Sequence, residues 1–151
     1  MKGGYLMARK THITANELGI TMERKEREIF KWFLASYLFG KRIQEDVARQ
    51  TWEVFMKHGM DSPKKIVGKT KQQIVALLGE GKYRRYDEST ASNLLDMART
   101  LVREYHGDLL NMYDHCDDEK DFMAKLQKLK GVGPKTAEIF MREAQPVLIR
   151  S

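Results

Sequence analysis

The sequence predicts an all-α protein folded as a compact multi-helix domain, and three observations carry that expectation. Apolar residues recur at three- and four-residue spacing through most of the chain. No alternating apolar–polar segment of useful length competes with them, and β-branched runs are few. The punctuation is helical: only 3 prolines occur, and Ser, Thr and Gly stand where helices begin and end. With 151 residues the chain suits one core rather than two. The expected organisation is an N-terminal arm over residues 1–20 and a helical domain over 21–151.

In the arm, Thr14 and Glu17 stand in capping-box spacing. The first long helix is expected from Met22 to Phe39 and is apolar on most sides after Ile29 (Phe30, Trp32, Phe33, Leu34, Tyr37, Leu38). That pattern marks a central helix, with Gly40 as its stop. A second helix is expected from Gln44 to His58, with Val47, Thr51, Val54 and Phe55 on one face and Gly59 beyond it. Ser62 and Pro63 offer an N-cap and a first helical residue for a short helix. Thr70 and Gln73 repeat the capping-box spacing and open another, through Leu78. "GEGKYRRYDEST" is a basic loop punctuated by glycine. A long amphipathic helix follows, with Leu94, Ala98, Leu101 and Tyr105 on one stripe and Gly107 as its cap. After the acidic "DHCDDEKD" one helix ends near Leu129, and a last one runs from Pro134 to about Ala144.

The formal charge of +6 and a pI near 9.4 suit a polyanionic partner without requiring one. No run of 18 apolar residues is present, and the opening "MKGGYLMARK" lacks the apolar centre of a signal peptide. Cys116 is the only cysteine, which excludes disulfide scaffolds, thiolate zinc sites and cysteine-held iron–sulfur clusters within this chain. A cytoplasmic location is expected, nucleoid-associated in a prokaryote, with no membrane partner and no cofactor.

The stretch that carries chemistry is "LKGVGPKTAEIFMREA", Leu129 to Ala144. Phe122, Leu126 and Leu129 face one way on the incoming helix, and Ala137, Phe140 and Met141 do so on the outgoing one. The link is so short that the two must pack as a pair, with Val132 plugged between them. Gly131 and Gly133 permit positive φ and leave no Cβ between the backbone and a ligand. Pro134 is pre-set for the first turn. Free N–H groups of the hairpin, of Lys135 and of Thr136 then point outward at a helix N-terminus, an anion site suited to a DNA phosphate. Lys130 and Lys128 sit alongside. A P-loop is excluded, because it needs a longer glycine loop after a strand. The bland alternative is a glycine-rich turn with a solvated lysine.

"LKGVGPKTA" resembles the helix–hairpin–helix motif of the base-excision DNA glycosylases related to endonuclease III. The apolar helix at Ile29–Phe39, the helix at Gln44–Phe55, the Tyr83–Tyr86 loop and the helix ending "REYHGDLL" fall in that family's order and approximate spacing. The likeness covers roughly Glu26 to Ala144. It implies a DNA glycosylase-like fold that grips double-stranded DNA by its phosphates through Lys130, Gly131, Val132, Gly133, Lys135 and Thr136. It also implies that Lys135 is a candidate nucleophile, attacking C1′ of a damaged nucleotide to form a Schiff base, for which its amine must be neutral. The family's catalytic aspartate would fall at Ser151 or one residue later. Of the sixteen residues after Lys135, only Glu138 and Glu143 are carboxylates, so the match stops short of that aspartate and of the segment that closes the family's cleft. Residues that open the duplex or read the base, often a glutamine, correspond to "FGKRIQ", with Lys41 nearest the position and Gln44 a few residues on.

Lys82, Arg84 and Arg85 of "KYRRY" combine cations with aromatics in a pattern that fits phosphate contact and stacking, or a solvated loop. His115-Cys116-Asp117-Asp118 holds metal-ligand residue types, but adjacent loop positions rarely converge on one ion, and no metal is expected. His58 and His106 precede glycines and are expected at the carbonyl ends of their helices. Trp32 and Trp52 read as core. Three functions remain open at this level. They are a repair glycosylase or abasic-site lyase, a helix–hairpin–helix DNA-binding module without the chemistry, and a helical protein–protein module with an incidental basic face.

Overall fold

The computed structural model describes residues 13–149, which fold into eight α-helices and, among the described residues, no strand. In chain order they are α1 (Glu26–Phe39), α2 (Glu45–Lys57), α3 (Pro63–Val67), α4 (Lys71–Glu80), α5 (Asp87–Tyr105), α6 (Leu109–Asp114), α7 (Glu119–Lys128) and α8 (Pro134–Leu148). A 3-10 turn at Asn16–Leu18 precedes them.

Helix α1 is central, as its all-round apolarity requires. Ile29, Phe30, Trp32, Phe33, Leu34, Tyr37 and Leu38 are all fully buried. It packs on α2, α6 and α8, while α5 gathers α3, α4 and α6 and α7 pairs with α8. Trp32 donates from Nε1 to the Phe140 carbonyl at 3.0 Å, and the Phe33 ring meets Phe140 edge-on at 5.4 Å. Trp52 closes the opposite side by donating to the Lys31 carbonyl at 3.0 Å. Both tryptophans therefore occupy the expected core positions, each with its N–H satisfied.

The local signals hold where a side chain makes the cap. Ser62 accepts from Lys65 N, Thr70 and Gln73 form a complete capping box, and Asp108 and Asp118 cap α6 and α7. Thr14 accepts from Glu17 N at 3.2 Å. Elsewhere the boundaries move. Helix α1 starts at Glu26 rather than Met22, because Lys25 is extended. Gly40 ends it in right-handed geometry, so positive φ is not what placed a glycine there; a Cβ would strike Thr136 of α8. Helix α5 ends one residue early, on His106 and Gly107, both left-handed. The short helix α6, which lies between Gly107 and the acidic stretch, was not expected. Helix α8 continues past Ala144 through Pro146 to the fully buried Leu148, packing outweighing the lost amide.

Residues 13–20, taken in the sequence with the arm, pack on the core through Ile13, Ala15, Leu18 and Ile20. Ala15 N donates to Glu143 at 3.0 Å, and Arg142 donates to the Ile13 carbonyl at 3.1 Å, tying this stretch to α8. Residues 1–12, Arg150 and Ser151, the last the expected place of the aspartate, lie outside the described residues.

Glu26 joins the start of α1 to the start of α6. Its Oε1 accepts from Leu110 N at 3.1 Å, while Oε2 is buried without a partner. Burial, and then the neighbouring Asp108 carboxyl, raise its pKa from an ordinary 4.5 to about 8. A carboxyl that holds its proton more tightly when folded contributes stability fully below pH 4.5 and loses it as pH rises through 8. Glu26→Gln keeps the acceptor for Leu110 and supplies a permanent donor. The variant is expected to flatten the decline in Tm between pH 5 and 8.5 and to be more stable at pH 8.5 by about 1–3 kcal/mol, read by calorimetry across that range.

Candidate nucleic-acid interface

The turn between α7 and α8 is where the glycine spacing takes effect. Val132 is buried at the tip, its N–H donating to the Leu129 carbonyl at 3.1 Å. Phe122, Leu126, Leu129, Ala137, Phe140 and Met141 are all buried, so the two helices pack along the expected faces. Gly131 has φ +81°, the left-handed conformation that favours glycine, and an added Cβ would run into the Tyr37 ring. Gly133 differs from expectation. It is extended at φ −106° and ψ −173°, and a Cβ there would meet nothing within 4 Å. Its missing side chain serves no turn geometry; it leaves the outer face of the backbone bare.

Two carbonyls of the turn are held from inside. Tyr37 donates its hydroxyl to Lys130 O at 2.9 Å, and Lys41 donates Nζ to Gly131 O at 3.0 Å. The Lys41 ammonium also lies 4.4 Å from the Tyr37 ring centre. With the carbonyls drawn inward, the amides of Gly131, Gly133, Lys135 and Thr136 have no hydrogen-bond partner among the described residues. They stand at the positive end of a 15-residue helix. Thr136 is itself buried against Gly40, whereas Lys128, Lys130 and Lys135 are exposed and form no ion pair among the described residues. Burial lowers the Lys41 pKa below that of an ordinary lysine and raises that of the Tyr37 hydroxyl.

The "KYRRY" loop divides by role. Tyr83 is buried and shares a 3.0 Å hydrogen bond with Thr90, so it anchors the loop rather than offering a stacking face. Lys82, Arg84, Arg85 and Tyr86 point outward, and Tyr86 is 69% exposed. Lys82 and Tyr86 both have positive φ, at 72° and 60°, an uncommon geometry for residues with side chains. Arg85 lies 5.2 Å from the Tyr86 ring centre.

The remaining candidates have other work. His115 Nδ1 pairs with the Asn111 carbonyl, Cys116 donates to Met112 O, and Asp118 caps α7. Among the described residues no three metal-ligating side chains come together. His58 sits at the end of α2 but pairs with Glu80 at 3.2 Å. Glu143, one of the two carboxylates after Lys135, is bound to Ala15, and Glu138 is exposed.

Tyr37 is the residue that the sequence reading missed as part of the site. Its signal was a polar tip in an otherwise apolar helix, which needs a buried partner. Comparison with protein-family models, with curated proteins and with solved structures finds no match.

Replacing Gly131 by Ala is expected to cost at least about 1–2 kcal/mol from the left-handed backbone alone. The clash with Tyr37 adds to that loss, measured as a lower urea midpoint.

Proposed function

We propose that this protein binds DNA by its backbone, seating a phosphate on the unpaired amides at the start of α8, chiefly those of Gly133 and Lys135. One observation carries the reading: the Lys130 and Gly131 carbonyls are tied to Tyr37 and Lys41, while the amides of Gly133, Lys135 and Thr136 have no partner among the described residues at the start of α8. Lys130 and Lys135 flank those amides and add charge without a competing carboxylate partner. Lys82, Arg84 and Arg85 extend the basic surface on the side of Tyr83, and Tyr86 offers a face for a base. Between Lys57 and Arg85 the only acids are Asp61 and Glu80, and Asp61 is neutralised by Arg27 and Lys65. Within this stretch Lys57, Lys64, Lys82, Arg84 and Arg85 are exposed. Contacts of this kind position the backbone and carry no sequence preference of their own.

A second reading, an abasic-site lyase of the kind the resemblance implies, is favoured by the amines gathered around the same turn. Lys135 supplies an exposed amine at the hairpin, the place the family's nucleophile would hold. Lys135 is exposed and held by no partner among the described residues, which suits grip rather than attack.

Binding to a short duplex is expected to weaken steeply with salt, and Lys135→Ala to reduce the slope of log K against log[salt] by about 0.9 for one lost phosphate contact. Gly133→Val is the sharper test, because its side chain enters open space on the amide face. It is expected to weaken DNA binding about tenfold, near 1.4 kcal/mol, with folding stability changed by less than about 1 kcal/mol. Binding unaffected by both salt and Gly133→Val would return the protein to the class of helical interaction modules.

A further inference from the structure

We propose that the protein holds DNA at a second surface as well, a track of cations that α3, α4 and their connections lay along the length of α5. The proposal rests on the reading that this protein binds DNA by its backbone, and it adds a contact away from the hairpin. The chain's charge is not spread evenly. Residues 57–85 hold eight lysines and arginines against two acids, an excess of six that equals the formal +6 of the whole sequence. The two acids are occupied, Asp61 by Arg27 and Lys65 and Glu80 by His58. By contrast, Lys57, Lys64, Lys69, Lys82, Arg84 and Arg85 form no ion pair among the described residues.

The fold turns this excess into a line. Helices α3 and α4 both pack on α5. Just past the C-terminal end of α5, a Cβ on Gly107 would lie 3.7 Å from the Lys64 side chain. At the other end Lys71 pairs with Glu88 at 3.3 Å. Cations therefore flank α5 from end to end, and its 19 residues span about 28 Å. That length matches about eight base pairs of duplex. Of the acids on α5, Glu88, Asp96 and Glu104 are each paired with a cation, which leaves Asp87 alone without an ion pair among the described residues. The track is also set apart from the hairpin. Arg27, at the start of α1, binds Asp61 beside α3, whereas Lys41, just past its end, binds Gly131. The 14 residues of α1 put about 20 Å between the two places, too far for one phosphate to serve both.

The chemistry of the track selects its partner. Protein–protein contacts form round an apolar centre and are depleted in lysine. Between Lys57 and Arg85 no large apolar side chain is exposed, so a protein partner would find no anchor there. Lysines on flexible stems are compact charges that suit a row of phosphates and read no base.

The test is fluorescence anisotropy with a labelled duplex of about 24 base pairs, about three times the length of the track, titrated over a range of salt. Lys64→Gln combined with Lys69→Gln is expected to lower the slope of log K against log[salt] by about 1.8, two phosphate contacts at about 0.9 each. The urea midpoint should stay where it is, since neither side chain is buried. Arg49→Gln combined with Lys120→Gln removes the same charge away from the track and should leave the slope unchanged. An unchanged slope in the Lys64 and Lys69 variant overturns the proposal and leaves the patch to an acidic protein. An equal fall in the control variant also overturns it, because net charge alone then accounts for the effect. If Gly133→Val weakens binding and the track variant does not, the hairpin reading stands without the track. If only the track variant weakens binding, the track stands and the hairpin reading falls. Failure to bind the duplex at all removes both.

Discussion

The attachment of the last turn of α1 to the glycine turn before α8 is the constraint on which the rest of the structure depends. Gly131 adopts φ +81° where the Tyr37 ring leaves no room for a Cβ, and Gly40 makes the reciprocal concession to Thr136. Tyr37 and Lys41 then take the carbonyls of Lys130 and Gly131. A polar tip at the end of a buried helix must find a partner or pay desolvation. Here the partner is the backbone of the turn, so satisfying the core also sets the direction in which the turn's amides face. The stability of the centre and the lack of partners for these amides among the described residues go together with the same contacts.

That coupling explains why the two glycines of "GVG" are not equivalent. Gly131 is required by the fold, since any side chain meets Tyr37. Gly133 is not required by the fold, since its φ is ordinary and its Cβ direction is empty. Lys41 shows a similar division. Its position at the end of a buried helix costs it water, and what it gains is a fixed geometry beside the site.

Much of the helical framework was legible from the residues, because caps and apolar stripes act within a few positions of one another. Ser62, Thr70 with Gln73, and the stripe Leu94, Ala98 and Leu101 behave as local chemistry requires. Errors occurred where a distant contact outweighed the local signal. Gly40 ends α1 as expected, but a glycine is needed there because a Cβ would strike Thr136. Pro146 looked beyond the end of α8 but lies within it, because Leu148 is drawn into the core. Of "KYRRY", Tyr83 was grouped with the stacking residues, although its hydroxyl is taken by Thr90 and its ring by the core.

By itself the sequence determined an all-helical chain, its central apolar helix, its tightly turned hairpin at Gly131–Gly133 and the basic character of the loops, since all of these follow from periodicity, caps and charge. Only the tertiary structure decided which glycine is strained, which tyrosine is buried and which lysine is held still. Those depend on residues 90 or more positions apart meeting in space, as Tyr37 meets Lys130 and Lys41 meets Gly131. Separation of that kind leaves no periodic trace, because the requirement on each partner is set by the other's position and not by its neighbours in the chain.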